Sequence, residues 1–289
     1  MTLVALLAWT AGWFFDRPAP RFVHEEVRIA AHSGRTTLAI SILRPRGQGP
    51  FGALVLNHGV ALTERGRSLE SPELLVHTAA AFADRGYAVL MPLRRGFGAT
   101  GGVFAENPGA CSSADYRRGE RAAAADVLAA YRFARRLPYV DPDRMILAGQ
   151  SAGGVAALYA AAQSPPGLVA VLAFAAGRGA DPTHPGVPCA AARLAELFEE
   201  AGRSLRAPTL LYYAQNDRFF GPAATRAWFA RLRAGGAPAE YMLQPPFGAN
   251  GHYVFTDAAG PALWLPAVER FLSRQRIPFL PLRPPAPRA

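Results

Sequence analysis

Apolar and polar positions alternate between two periods along this chain. Short apolar runs at 51–56 (FGALVL), 87–92 (YAVLMP), 145–148 (MILA), 168–175 (LVAVLAFA) and 209–214 (TLLYYA) have the length of buried strands. Helical segments at 74–85, 118–137, 155–162, 191–201, 222–234 and 261–274 are interleaved with them. Gly86 closes the first of these and Pro138 stops the second. Residues 23–31 and 37–44 read as two strands joined by a turn at 32–35, an antiparallel start, and 239–243 as a last strand. Strands alternating with helices after such a start predict an α/β fold, a mostly parallel eight-stranded sheet with helices on both faces. No linker or repeat divides the chain. One domain is expected over residues 21–276, with 177–206 as a short cap insert and 277–289 as a proline-rich, extended tail.

Composition adds little to the core but something to the ends. Of 289 residues, 51% are hydrophobic and 18% charged, which excludes a disordered chain. The formal net charge is +10, and all 31 basic residues are arginine. They are scattered, and no basic run is interleaved with aromatics as a base-stacking surface needs, so no nucleic-acid partner is expected. Residues 2–15 (TLVALLAWTAGWFF) carry no charge and break at Asp16-Arg17-Pro18. That run is short for a membrane span but has the length of a signal-peptide apolar region. No basic residue precedes it, and no clear Ala-x-Ala site follows. Residues 1–20 are expected to be an export signal or an N-terminal anchor, the only membrane contact foreseen. Cys111 and Cys189 lie in separate loops, without metal-ligand spacing to another Cys or His. In an exported chain they are expected to form one disulfide.

The chemistry gathers at residues 144–154 (RMILAGQSAGG), where an apolar run meets Gly-x-Ser-x-Gly and then an alanine-rich helical segment. Strand, sharp turn and helix is the context in which such a serine is lifted clear of a sheet. Ser151 is the candidate nucleophile, and its hydroxyl needs a base to take its proton. Asp217 follows the strand at 209–214, and His252 lies in the glycine-rich loop after the last strand. A carboxylate there fixes the tautomer of a histidine that both Ser151 and Asp217 reach. Asp181 and Asp257, which do not directly follow strands, are weaker rivals to Asp217, and His184, in the insert, is the serious competitor to His252. An oxyanion hole needs two backbone donors. The N–H of Ala152 is one candidate, and the N–H of Val60, after the strand at 51–56, is the other, with Gly59 as alternate. His58 is expected to brace that loop. The pair Arg94/Arg95 is read first as packing or solubility residues, with the favouring of an anionic group on the substrate as the alternative.

Asn57-His58-Gly59, Arg95-Gly96-Phe97-Gly98-x-x-Gly101, Gly149-Gln150-Ser151-Ala152-Gly153, Asn216-Asp217 and Gly251-His252 together resemble the α/β-hydrolase superfamily. Within it they are similar to dienelactone-hydrolase-like and prolyl-oligopeptidase-like serine hydrolases. The resemblance covers roughly residues 23–275 and implies acyl transfer to water through an acyl-serine. Dienelactone hydrolases proper use a cysteine where Ser151 stands, and oligopeptidases of that type carry a propeller for which this chain has no room. The expectation is a hydrolase of carboxylic esters, needing no metal or organic cofactor. A small serine peptidase or amidase, and an exported binding protein without catalysis, are the alternatives.

Overall fold

A computed structural model describes residues 21–31, 34–181 and 183–282. The expected signal or anchor at 1–20, the turn residues His32 and Ser33 and the tail residues 283–289 lie outside the described residues. In chain order the strands are β1 (Phe22–Ala31), β2 (Thr36–Pro45), β3 (Phe51–Asn57), β4 (Tyr87–Pro92), β5 (Val140–Gln150), β6 (Leu168–Phe174), β7 (Thr209–Ala214) and β8 (Ala239–Gln244). The helices are α1 (Glu64–Ser68), α2 (Val76–Ala83), α3 (Tyr116–Ala134), α4 (Ala152–Ala161), α5 (Ala191–Ser204), α6 (Pro222–Ala234) and α7 (Gly260–Arg274).

The strands form one eight-stranded sheet in the order β1-β2-β4-β3-β5-β6-β7-β8. β2 pairs antiparallel with both β1 and β4, and every other pairing is parallel. Side chains alternate between the two faces with period two. Ala53, Val55, Leu147 and Val171 join the core under α3, α4, α5 and α6. Leu54, Leu56, Ile146 and Leu172 join the other core, under α2 and α7 with Phe82, Trp264 and Phe271. Both faces being covered explains why the parallel strands read as unbroken apolar runs.

The strand order reverses at β3. The chain leaves β3 for β4 on one side and returns to β5 on the other. A crevice opens at such a switch point, beyond the carboxyl ends of the strands. The loops after β3 and β5 both start there.

The boundaries differ from expectation in ways that have causes. Pro72 holds residues 72–75 in a 3-10 turn capped by Ser71, so α2 starts at Val76 rather than 74. α3 starts at Tyr116, because the Asp115 side chain accepts from the Arg118 N–H at 2.9 Å and caps it there. β5 reaches back through Asp141-Pro142-Asp143, since Val140 pairs with Phe51 at the foot of β3. α1, a five-residue polar turn of helix, has no apolar period to announce it.

Candidate active site

At the end of β5 the backbone turns abruptly. Ser151 has φ 58° and ψ −126°, outside the ordinary range for a residue with a side chain. Its N–H donates to the Phe174 carbonyl at 2.9 Å, and its own carbonyl accepts from Gly154 at 2.9 Å. The turn is tolerated because glycines flank it. A Cβ on Gly149 would stand 2.3 Å from the Gly153 carbonyl oxygen, and one on Gly153 would stand 2.3 Å from that of His58. Helix propensity argues against Gly153 and Gly154 in a first turn, yet close approach demands them, so α4 begins three residues before the expected 155. As first residue of α4, Ala152 carries an N–H with no partner inside the helix.

Asp217 follows β7 in a tight turn. Its Oδ1 accepts from the N–H groups of Phe219 at 2.8 Å and Phe220 at 2.9 Å. That leaves Oδ2 to accept from His252 Nδ1 at 2.9 Å. Both side chains are buried. The bond leaves His252 Nε2 as the nitrogen available to a reacting group. His252 and Ser151 line the same cavity, of about 870 Å³, which opens over the switch point. Val60 lines it as well, on the loop after β3.

Three further side chains hold this geometry, and the sequence pattern did not single out their roles. Gln150 Nε2 donates to the His252 carbonyl at 2.8 Å. Asn250 Oδ1 accepts from the N–H groups of Arg218 at 3.0 Å and His252 at 3.1 Å, joining the aspartate and histidine loops. Asn216 locks the same two loops through Nδ2 to Phe247 and Gly248 carbonyls and Oδ1 to the Phe247 N–H. Their one sequence signal is amide side chains adjoining or close to Ser151, Asp217 and His252.

The rivals are engaged elsewhere. His184 Nδ1 pairs with Asp181 at 2.8 Å as an exposed couple that does not line the cavity. Asp257 borders the cavity, and its Oδ1 accepts from the Ala259 N–H. The alternative anion-favouring role of Arg94 and Arg95 is set aside: Arg94 is wholly buried against Glu106, Arg95 is paired to Asp126, and neither lines the Ser151 cavity.

The cavity wall carries one more acidic group. Burial pushes the Glu70 carboxyl up to about 7, against the opposing pull of Arg94. Cys111 and Cys189 are joined in a disulfide. It ties residues 107–109 to 177–180, two walls of the same cavity, and Tyr116 Oη donates to the Cys189 carbonyl at 2.7 Å. Such a bond suggests a location outside the reducing cytoplasm. Among the described residues, no helix is long and apolar enough to cross a membrane.

A sequence model of the X-Pro dipeptidyl-peptidase (S15) family matches residues 33–185, just over half of the chain. No curated protein sequence matches it as a relative. Solved structures with this fold include dienelactone-hydrolase-like proteins, esterases and peptidases. The acetyl xylan esterase from Paenibacillus sp. R4 is 19% identical with a TM-score of 0.60, over 92% of this chain and 86% of that one. A Pyrococcus furiosus esterase is 16% identical with a TM-score of 0.62, over 88% of this chain and 91% of its own. An acylaminoacyl peptidase, 14% identical with a TM-score of 0.59, is matched over 92% of this chain but 43% of its own.

Proposed function

This chain belongs to the X-Pro dipeptidyl-peptidase (S15) family, and from that premise we propose that it is a serine hydrolase of small carboxylic esters, with Ser151, His252 and Asp217 as its triad. The observation that carries the reading is the Asp217–His252 pair, buried and held by backbone N–H groups, on a cavity that it shares with a serine on a strained turn. His252 Nε2 takes the Ser151 proton as Oγ bonds to the acyl carbon. The negative charge on the acyl oxygen is met by the N–H groups of Ala152 and Val60. The imidazolium then returns its proton to the departing alcohol oxygen, and the C–O bond breaks. Water, deprotonated by the same nitrogen, attacks the acyl-serine and releases the acid.

The esterases among its structural neighbours, each matched over most of both chains, support the ester reading. The family match and Glu70 favour the second reading, a peptidase acting on short chains, since a wall carboxylate suits a terminal ammonium. A panel of p-nitrophenyl acetate, butyrate and octanoate beside X-Pro arylamides separates the two. The ester reading expects kcat/KM on a short ester to exceed that on every arylamide. Faster turnover of an X-Pro arylamide overturns it. We further read the chain as exported, a proposal supported by the disulfide and by the uncharged residues 2–15.

A further inference from the structure

Next to the cavity lies a set of buried charges that hydrolysis itself does not use. Arg94, just beyond β4, is 0% exposed. Its Nε and Nη2 meet the Glu106 carboxylate, Nη1 donates to the His58 carbonyl at 2.8 Å, and Nη2 donates to the Gly59 carbonyl at 3.1 Å. The backbone N–H of Arg94 also donates to His58 Nε2 at 3.2 Å. Since that N–H can only donate, Nε2 is the bare nitrogen. Nδ1 therefore carries the proton and donates to the Gly59 carbonyl at 2.8 Å. Burial first, and the Arg94 charge second, hold the His58 imidazole down at about 3, so it stays neutral in this tautomer near neutral pH.

Two successive carbonyls are thus turned toward one guanidinium. A trans peptide is planar, and its N–H points opposite to its C=O. The N–H groups of Gly59 and Val60 therefore point away from Arg94. Gly59, Val60 and Ser151 share the cavity wall.

Glu106 extends the arrangement. Its second oxygen also accepts from Arg178, whose Nε donates to Glu120 on α3, and Glu106, Glu120 and Arg178 are all buried. Burial pushes the Glu106 carboxyl up, but Arg94 and Arg178 outweigh it and hold it down at about 2. Apolar residues of similar volume serve stability as well as buried ion pairs do. What they cannot do is donate to two adjacent carbonyls.

We infer that Arg94 is a positioning residue of the oxyanion hole: its grip on the His58 and Gly59 carbonyls aims the Val60 N–H at the reacting acyl oxygen, and Glu106 holds Arg94 in place. The inference rests on the serine-hydrolase reading above, with Val60 as donor. Arg178 begins the segment that runs to Cys189, so the same charges tie the oxyanion loop to the opposite cavity wall.

The test uses the full chain with Arg94→Lys, Arg94→Ala and the double variant Arg94→Met/Glu106→Gln, which leaves no unpaired carboxylate. Hydrogen exchange over residues 57–62, read in a Ser151→Ala background, needs no turnover. It is expected to accelerate about tenfold or more in each variant while β5 stays protected. In the Ser151 background, kcat per folded molecule is expected to fall about 100-fold, with KM changed little, the loss seen when one oxyanion donor is removed. Affinity for a trifluoromethyl ketone, which forms a tetrahedral oxyanion on serine, should fall in parallel. Millimolar guanidinium should restore part of kcat in Arg94→Ala, which a merely unstable fold would not show. Unchanged exchange at 57–62, or unchanged kcat per folded molecule, overturns the inference. A wild type that neither turns over esters nor binds the ketone fails before any variant is made, which identifies the hydrolase reading as the error and takes the oxyanion role with it.

Discussion

The side chain of Gln150 donates to the backbone carbonyl of His252 at 2.8 Å, so the residue before Ser151 holds the loop that carries the imidazole. The strained turn at Ser151 and the histidine are thereby one mechanical unit, with the imidazole positioned from the strand that ends at Ser151. Small displacements of a catalytic group cost rate steeply. Gln150→Ala is expected to lower kcat/KM on p-nitrophenyl butyrate by roughly 10- to 100-fold, with unchanged circular dichroism. A full-rate variant would show that the His252 loop needs no such anchor.

Asp217→Asn is predicted to keep the fold and lose the base. An asparagine oxygen can still accept from the Phe219 and Phe220 N–H groups, which turns its NH2 toward His252 Nδ1. Nδ1 must then be the bare nitrogen and Nε2 the protonated one, the wrong tautomer to deprotonate Ser151. The expected fall in kcat is on the order of 10⁴. A loss under about tenfold would remove Asp217 from the proposed triad.

Glu120 makes stability depend on pH in a defined direction. Burial raises its carboxyl from 4.5 to about 7, Arg178 opposing and Glu106 adding to the rise. Between those values the folded protein holds a proton that the unfolded chain has released, so raising pH through that window costs stability. Glu120→Gln, neutral throughout, escapes that cost. Urea titrations should find the wild type losing stability relative to the variant as pH rises from 4.5 to about 7. A constant difference, or one growing in favour of the wild type, contradicts the assignment.

The disulfide closes a span of 78 residues between two cavity walls. The double variant Cys111→Ser/Cys189→Ser is predicted to lose about 2–5 kcal/mol, read as a fall in Tm and in the urea midpoint. Equal midpoints for the variant and the oxidised wild type would show that Cys111–Cys189 carries no stability.

Much of this architecture is legible in the residues, and the exceptions share a cause. The central strands announce themselves because burial on both faces makes them continuous apolar runs, and the glycines around Ser151 mark a turn that side chains would block. Asp217 and His252, singled out in the sequence by their places after β7 and β8, are hydrogen-bonded to each other in the folded chain. That Arg94 is a buried packing residue is legible, but its role in bracing two carbonyls is not. Its neutralising partners, Glu106 and Arg178, sit in irregular loops with no period to bring them together on paper. Asn250 and Gln150 are missed for the same reason: they act on backbone groups, and a polar side chain bonded to a carbonyl or an N–H leaves no pattern. Periodicity reports faces of helices and strands, while loop-to-loop bonds appear only once the chain is folded.

The most direct test of the central claim is covalent labelling by a fluorophosphonate probe, with mass spectrometry to locate the adduct and Ser151→Ala alongside. The account predicts one adduct, on the peptide containing Ser151, and neither labelling nor ester turnover in the variant. An unlabelled wild type, or a Ser151→Ala protein that keeps its turnover, would contradict it.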